Sequence, residues 1–264
     1  MKFDHDKPKS KLMSRRGFLL ASCLALPPVV LLDATEIEPT ELKITTKKLA
    51  KGPGSCRFLH FSDLHFKGDR AYMAQVVKTI NGLSPDFVCF TGDIVENLPY
   101  LKEALGFIEQ IKSPVFGVQG NHEFLCGACD EEIAPSFART GGAWLSNREQ
   151  LICGDRINLI GMACVAPALF PPRAGVKNVL LAHYPMRVEK LGGHRYDLIL
   201  AGHSHGGQVR LPMIGPLFLP RGVGPYDYGF YTTPAGTLYV TSGIGCMGST
   251  IRFNCRPEVA VFEI

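Results

Sequence analysis

Five apolar runs in this sequence each end in polar residues of kinds that bind cations. The first is followed by Asp63-Leu64-His65, the second by Gly92-Asp93 and the third by Gly120-Asn121-His122-Glu123. Two later runs lead into Ala182-His183 and Gly202-His203-Ser204-His205. Carboxylate and amide oxygens together with imidazole nitrogens suit Mn, Fe or Zn, and a set without thiolates argues against a closed structural zinc site. Asp63, His65, Asp93, Asn121, His183, His203 and His205 are too many ligands for one tetrahedral ion. Two divalent ions about 3.5–4 Å apart, sharing one carboxylate, would use them all, and such a pair activates water near neutral pH and clamps a phosphoryl group. On extended backbone, Asp-x-His and His-x-His spacings turn both side chains of each pair to one side. Taken singly, each residue has an ordinary reading: an Asp before a loop is a turn residue, and a lone His is structural. The joint pattern, five motifs each at a strand exit, is what points to a site.

Such groups meet only if the runs are strands whose carboxyl ends converge on one crevice. Residues 57–62, 86–91 and 114–119 read as strands. Between the first two, Met73, Val76, Val77, Ile80 and Leu83 recur at helical spacing. Between the second and third, Leu101, Ala104, Leu105, Ile108 and Ile111 form a second stripe, with Asn97 as the expected cap and Pro99 in the first turn. This alternation predicts parallel strands with crossover helices. The second half carries short apolar runs at 157–161, 179–182, 198–201, 238–242 and 259–264, separated by Gly and Pro. Two packed sheets with helices outside, in a single α/β domain over residues 55–264, are expected.

The chain has 264 residues, of which 46% are hydrophobic and 20% charged, values that exclude disorder for the bulk of it. All of the formal charge of +4 resides in residues 1–20, with six Lys/Arg against two Asp/Glu. The neutral remainder argues against a nucleic-acid surface. Ser14-Arg15-Arg16-Gly17-Phe18-Leu19-Leu20 precedes an apolar run over residues 18–32. As a helix that run would span about 22 Å, short of the roughly 30 Å hydrocarbon core, and Pro27-Pro28 would break it. Residues 1–54 therefore read as an export signal or anchor with a linker. The pattern resembles a twin-arginine signal, which implies the twin-arginine export machinery as a partner and a periplasmic or cell-envelope location. Leu32-Asp33-Ala34 is a poor cleavage site, so membrane anchorage, at the inner membrane or facing outward, stays open. Leu20-Ala21-Ser22-Cys23 resembles a lipobox but stands too early in the run. Of nine cysteines, Cys89 and others in apolar runs read as buried hydrophobes. Cys126 and Cys129 have redox-motif spacing, but a local disulfide or two unpaired thiols suits their surroundings better.

The order Asp-x-His, Gly-Asp, Gly-Asn-His-Glu, His and Gly-His-x-His resembles that of the calcineurin-like metallophosphoesterase superfamily, over about residues 56–264. That resemblance implies a four-layer α/β/β/α sandwich of two packed mixed sheets flanked by helices, with a dinuclear site in the cleft. It implies that Asp63, His65, Asp93 and His205 hold one ion, that Asp93, Asn121, His183 and His203 hold the other, and that Asp93 bridges. His122 would be the general acid or phosphate-binding group. Glu123 and Glu96 would support the site, Glu96 structurally. Manganese is the ion expected to serve in vitro.

Gly206-Gly207-Gln208-Val209-Arg210-Leu211-Pro212 and Arg252-Phe253-Asn254-Cys255-Arg256-Pro257-Glu258 resemble a membrane- or envelope-associated subgroup. It includes exported cell-wall-associated phosphoesterases and enzymes that hydrolyse UDP-2,3-diacylglucosamine in lipid A synthesis. The expected activity is hydrolysis of a phosphodiester or pyrophosphate bond by metal-bound hydroxide, on a phosphorylated envelope or lipid substrate. The lipid A role conflicts with outward export, because that precursor is made on the cytoplasmic side. The segment between Gly161 and His183 is shorter than in many relatives, which implies a more open cleft. Residues 213–231, rich in Pro, Gly and apolar side chains, read as a loop covering its own core or as a membrane-facing rim. An inactive envelope binding module and a thiol redox protein on Cys126 and Cys129 are the alternatives from other classes.

Overall fold

The structure is a computed structural model, and it describes residues 43–48 and 56–264. The twin-arginine-type segment, Cys23 and the weak cleavage site at residues 32–34 lie outside the described residues. Among those described, no helix is long and apolar enough to cross a membrane.

The elements run as follows: β1 (Lys43–Lys48), β2 (Arg57–Phe61), α1 (Arg70–Leu83), β3 (Phe87–Phe90), α2 (Leu101–Ile108), β4 (Val115–Gly117), α3 (Asn121–Cys126) and α4 (Asp130–Arg139). They continue with β5 (Ala143–Trp144), β6 (Arg148–Ile152), β7 (Ile157–Gly161), β8 (Lys177–Leu181), β9 (Tyr196–Ala201), β10 (Arg210–Leu211), β11 (Gly215–Pro216), β12 (Gly229–Thr233), β13 (Gly236–Val240) and β14 (Glu258–Glu263). One six-stranded sheet has the order β1-β14-β2-β3-β4-β5 and a second the order β12-β13-β9-β8-β7-β6. Strands β2 to β5 are parallel, as are β7, β8, β9 and β13, while β14, β6 and β12 bring antiparallel pairings. The fold is thus α/β with two mixed sheets and flanking helices.

Local sequence explains the elements. Met73, Val76, Val77 and Ile80 give α1 one buried stripe, and its cap, Asp69, accepts the Tyr72 N–H at 3.1 Å. Asn97 does not cap the second helix as expected. It precedes a 3₁₀ turn, Leu98–Tyr100, makes no side-chain capping bond, and α2 follows directly. Pro99 accounts for this, since it fits a first turn but donates no N–H to a longer helical ladder. The central strands β3, β4 and β7 are buried throughout, as parallel strands covered on both faces must be.

Three apolar layers hold the sheets in place. Leu59, Phe61, Val88 and Phe90 pack with Met73, Ile80, Leu105 and Phe137, joining the first sheet to α1, α2 and α4. Phe58, Phe87 and Phe116 meet Leu159, Val179, Leu200 and Tyr239 between the sheets. Ile160, Leu180, Ile199 and Val240 form the far face of the second sheet, covered by Val188 and Leu191 around a 3₁₀ segment, Pro185–Lys190. The helical layer there is thinner than on the first sheet.

Strand β1 pairs in parallel with β14 and forms an edge of the first sheet. Its residues precede the boundary at 55 read from sequence. Two threonines between Lys43-Ile44 and a lysine pair, in a stretch otherwise like a linker, carry little periodic signal until β14 supplies the partner. All eight described cysteines are free thiols. Cys126 closes α3, Cys129 is the residue before α4, and burial pushes the Cys126 thiol above its usual value.

Candidate metal centre

Every ligand motif stands where a parallel strand ends. Asp63 and His65 follow β2, Asp93 follows β3, and Asn121 and His122 open α3 after β4. His183 follows β8, and His203 and His205 follow β9. The two sheets thus feed one cleft, and the loops are stitched together across it. The Asp63 N–H donates to Gly92 O at 2.9 Å, and the His65 N–H to Asp93 O at 3.1 Å. The His203 N–H reaches Asp63 Oδ1 at 3.0 Å, a hydrogen bond from one sheet's loop to the other's.

The backbone there departs from extended geometry. Asp63, His65, Asp93, His203 and His205 have φ values of 57°, 43°, 63°, 66° and 50°, in the left-handed region that non-glycine residues rarely occupy. The Asp-x-His and His-x-His pairs therefore do not present alternate side chains of a strand. The chain turns sharply at both members of each pair, which keeps their side chains above the strand ends. Strain of this kind persists where surrounding structure over-determines it, and it clusters at functional sites. Two glycines make room for it. A Cβ at Gly120 would collide with Asp93 Oδ1, and one at Gly202 with Ser62 Oγ and Asp63 Oδ2.

The side chains form two donor sets that meet at one atom. In the first, His205 Nε2 lies 3.0 Å from His65 Nε2 and 3.6 Å from Asp63 Oδ1. In the second, His183 Nε2 lies 2.9 Å from Asn121 Oδ1 and 3.2 Å from His203 Nδ1. Asp93 Oδ2 belongs to both, 3.4 Å from His65 Nε2 and 3.3 Å from His183 Nε2. Asp63, His65 and His205 gather their ligand atoms within 4.8 Å of one another, as do Asp93, His183 and His203, and His65, Asp93 and His122.

The electrostatics suit a cation. Burial lowers His65 to about 4 and His203 to about 3, and drives His205 well below the ordinary imidazole value. Neutral imidazole is the form that coordinates. Burial also lowers His183, but the Asp93 carboxylate outweighs it and raises the group to about 9. For Asp93, burial acts upward, and the charge and hydrogen bond of His183, with His65 and His122 behind it, hold the carboxyl below its usual range. Asp63 is raised to about 7, chiefly by burial. The Nδ1 atoms of His65 and His205 are buried without a hydrogen-bond partner. Imidazole nitrogens, carboxylates and an amide oxygen converging in this way fit divalent ions such as Mn, Fe or Zn.

Other residues hold the donors in place. Glu123 is fully buried and accepts N–H groups from Ile94 at 2.5 Å, Gly120 at 2.7 Å and Asp93 at 3.0 Å. It thereby fixes the turn that carries Asp93. Glu96 lies 3.5 Å from His65 Nδ1, pairs with Lys67 at 3.2 Å and accepts the Gly248 N–H. It serves the loop beside the ligands as well as the structure. Two contacts had no sequence signal because they use backbone carbonyls. Thr91 O receives His183 Nδ1 at 2.7 Å, and Arg221 O receives His203 Nε2 at 2.8 Å. Tyr184, beside His183 in sequence, packs its ring 4.5 Å from that of His203. His122 is half-buried, its ring edge-on to His65 at 4.6 Å and its N–H bonded to Asp93 Oδ1 at 2.8 Å.

Two mixed sheets delivering buried Asp and His, with a half-buried Asn, to the carboxyl ends of their parallel strands define an α/β metalloenzyme. The profile of the calcineurin-like phosphoesterase family matches residues 56–207, and the chain belongs to that family. It is accordingly a metal-dependent hydrolase of phosphoric esters, as the sequence resemblance implied. An uncharacterized metallophosphoesterase, YkuE of Bacillus subtilis, is 28% identical, covering 96% of this chain and 98% of the relative. Phosphodiesterase YaeI of Escherichia coli is 28% identical over 79% of this chain and 82% of its own. UDP-2,3-diacylglucosamine pyrophosphatase LpxG of Chlamydia muridarum is 24% identical over 92% and 95%. A solved structure described as a novel archaeal phosphodiesterase aligns with a TM-score of 0.41 and 11% identity, covering 71% of this chain and 84% of that one.

Proposed function

We propose that this chain is a dinuclear phosphoesterase that hydrolyses a phosphodiester or pyrophosphate bond in a membrane or cell-envelope substrate. The observation that carries the dinuclear reading is the position of Asp93 Oδ2, within 3.4 Å of one donor set and 3.3 Å of the other. Asp63, His65, Asp93 and His205 would hold one ion and Asp93, Asn121, His183 and His203 the other. Divalent ions bound there would supply Lewis-acid charge to the phosphoryl oxygens and acidify the attacking water. Asn121 stands at the first position of α3, and the next N–H, that of His122, ties this helix start to Asp93 Oδ1 at 2.8 Å. His122, at the open side of the cleft, donates a proton or a hydrogen bond to the leaving oxygen. Glu123 and Glu96 position their neighbours and touch no substrate.

The reading includes twin-arginine export to the envelope, an outward-facing substrate, membrane association and no nucleic-acid partner; the Arg15-Arg16 pair ahead of an apolar run and the neutral charge balance of the rest of the chain support it. A second reading, pyrophosphate cleavage in UDP-2,3-diacylglucosamine, is favoured by the activity named for the 24% identical LpxG relative and by the exposed Phe124 and Leu125 close after His122. One experiment separates these readings. The full chain with Mn²⁺ is assayed for UMP release from UDP-2,3-diacylglucosamine and for cleavage of a soluble bis-aryl phosphodiester, beside an Asp93→Asn control. UMP release by wild type alone supports the second reading. Cleavage of the aryl diester alone moves the search to phospholipids and wall polymers. No turnover of either, at full metal occupancy, would sink the diesterase proposal.

A further inference from the structure

Outside the metal centre, the described surface carries a run of exposed large apolar side chains around one short hairpin. The short pair β10–β11 turns through Pro212-Met213-Ile214, where Met213 is fully exposed at 106% and Ile214 at 72%. Leu217 at 59% and Phe218 at 63% follow directly. This hairpin is rooted on the ligands: it follows His205 in sequence, Gly207 packs against Pro216, and the Arg221 carbonyl holds His203. Phe124 at 60% and Leu125 at 68% stand on α3, two and three residues beyond His122. Large apolar side chains exposed together in this way mark an interaction site.

Its charge and the sequence ahead of it select the occupant. Arg210 is paired with Asp227 at 2.7 Å, which leaves the exposed Arg221 as the cation of residues 206–227 that can face a ligand. Apolar side chains that enter the headgroup–acyl boundary beside an exposed guanidinium group are complementary to a phospholipid surface with anionic lipid. The sequence ahead of the described residues carries six Lys/Arg within residues 1–20, followed by an apolar run, which would bring the domain to the same surface.

We infer that the 210–218 hairpin, with Phe124 and Leu125 of α3, is a bilayer-docking surface that seats the cleft over phospholipid headgroups. It deepens the hydrolase reading and rests on it for the purpose of the docking, not for the docking itself.

The full chain carrying Phe218→Trp is mixed with phosphatidylcholine–phosphatidylglycerol vesicles, with and without brominated acyl chains. The single native tryptophan, Trp144, is buried, and the wild-type chain supplies its baseline. The expected result is a blue shift of the added emission on vesicles and its loss on brominated ones. Adding Met213→Asp and Ile214→Asp, both at exposed positions, should abolish the shift and the quenching. An added emission that ignores vesicles while the chain floats with them overturns the inference, because the N-terminal segment alone would then hold the chain. A blue shift already present without vesicles also overturns it, in favour of a second copy if it grows with protein concentration and of the chain's own segment if it does not. None of these readouts needs hydrolysis, so this inference and the hydrolase reading fail separately.

Discussion

Asp93 is the residue on which both donor sets depend, so its removal should cost more than one ligand. In the Asp93→Asn chain, metal analysis after dialysis should fall from about two ions per wild-type chain to fewer than one, with activity lost alongside. His122 makes no shared contact of that kind. His122→Ala should keep its metal and lower kcat on the order of 10²- to 10⁴-fold, the range for losing a general acid. Loss of metal in that variant would move His122 into the ligand set. Glu123 tests the supporting network. Its carboxylate takes three N–H groups in a buried site, and in Glu123→Gln an amide NH₂ must face at least one of them. The expected loss is about 1–3 kcal/mol of stability, the cost of a buried unsatisfied donor, read from denaturant unfolding.

At the scale of elements, the site is a set of loops that must turn left-handed immediately after their strands. Gly120 and Gly202 permit this, because each faces a ligand loop across a gap too small for a methyl group. Gly120→Ala should therefore push Asp93 aside. The expected result is a loss of about 1–3 kcal/mol, the usual range for overpacking, together with weaker metal binding by titration calorimetry. Normal affinity in that variant would mean that the cleft yields more than its packing suggests. The strand exits and the α1 and α2 stripes were legible in the sequence, because period 2 and period 3.6 patterns are written in side chains. The left-handed turns were not: Asp, His and Ser adopt several conformations, and only contacts between loops choose among them. The pairing of β1 with β14 escaped for a related reason, since an edge strand takes its register from a partner some two hundred residues away.

For the whole molecule, two sheets that meet at a metal centre should be held together by its ions. At a free ion concentration of about 100 Kd, binding stabilises by about 2.7 kcal/mol. Chelation should therefore lower Tm on the order of 5–10 °C for a domain of this size, and Mn²⁺ should restore it. His60 gives a pH response independent of the ligands. It lies between the sheets, edge-on to Tyr239, with Nε2 2.9 Å from Thr91 Oγ1 and Nδ1 unpartnered. Burial lowers it from the model-peptide value of 6.5 to about 3. The unfolded chain therefore binds this proton first as pH falls. The stability is intact above about pH 6.5, and acidification removes it progressively down to about pH 3. Between pH 7 and pH 5 this should cost about 2 kcal/mol. The same comparison in His60→Asn should show a loss smaller by that amount.

The sequence by itself determined the chemistry on offer: which residues are hard or borderline donors, that each follows an apolar run, and that their order is the family's. Those features are local, carried by residue type and spacing along the chain. Only the tertiary structure decided that Asp93 Oδ2 stands between two donor sets. It also decided that Glu123 gathers three backbone N–H groups and that the carbonyls of Thr91 and Arg221 aim the histidines. Such relations are distances between segments far apart in sequence, and backbone carbonyls look alike in every residue. The same holds for the exposed hairpin, because an apolar residue reads identically whether it lines a core or faces solvent, and packing alone makes the difference.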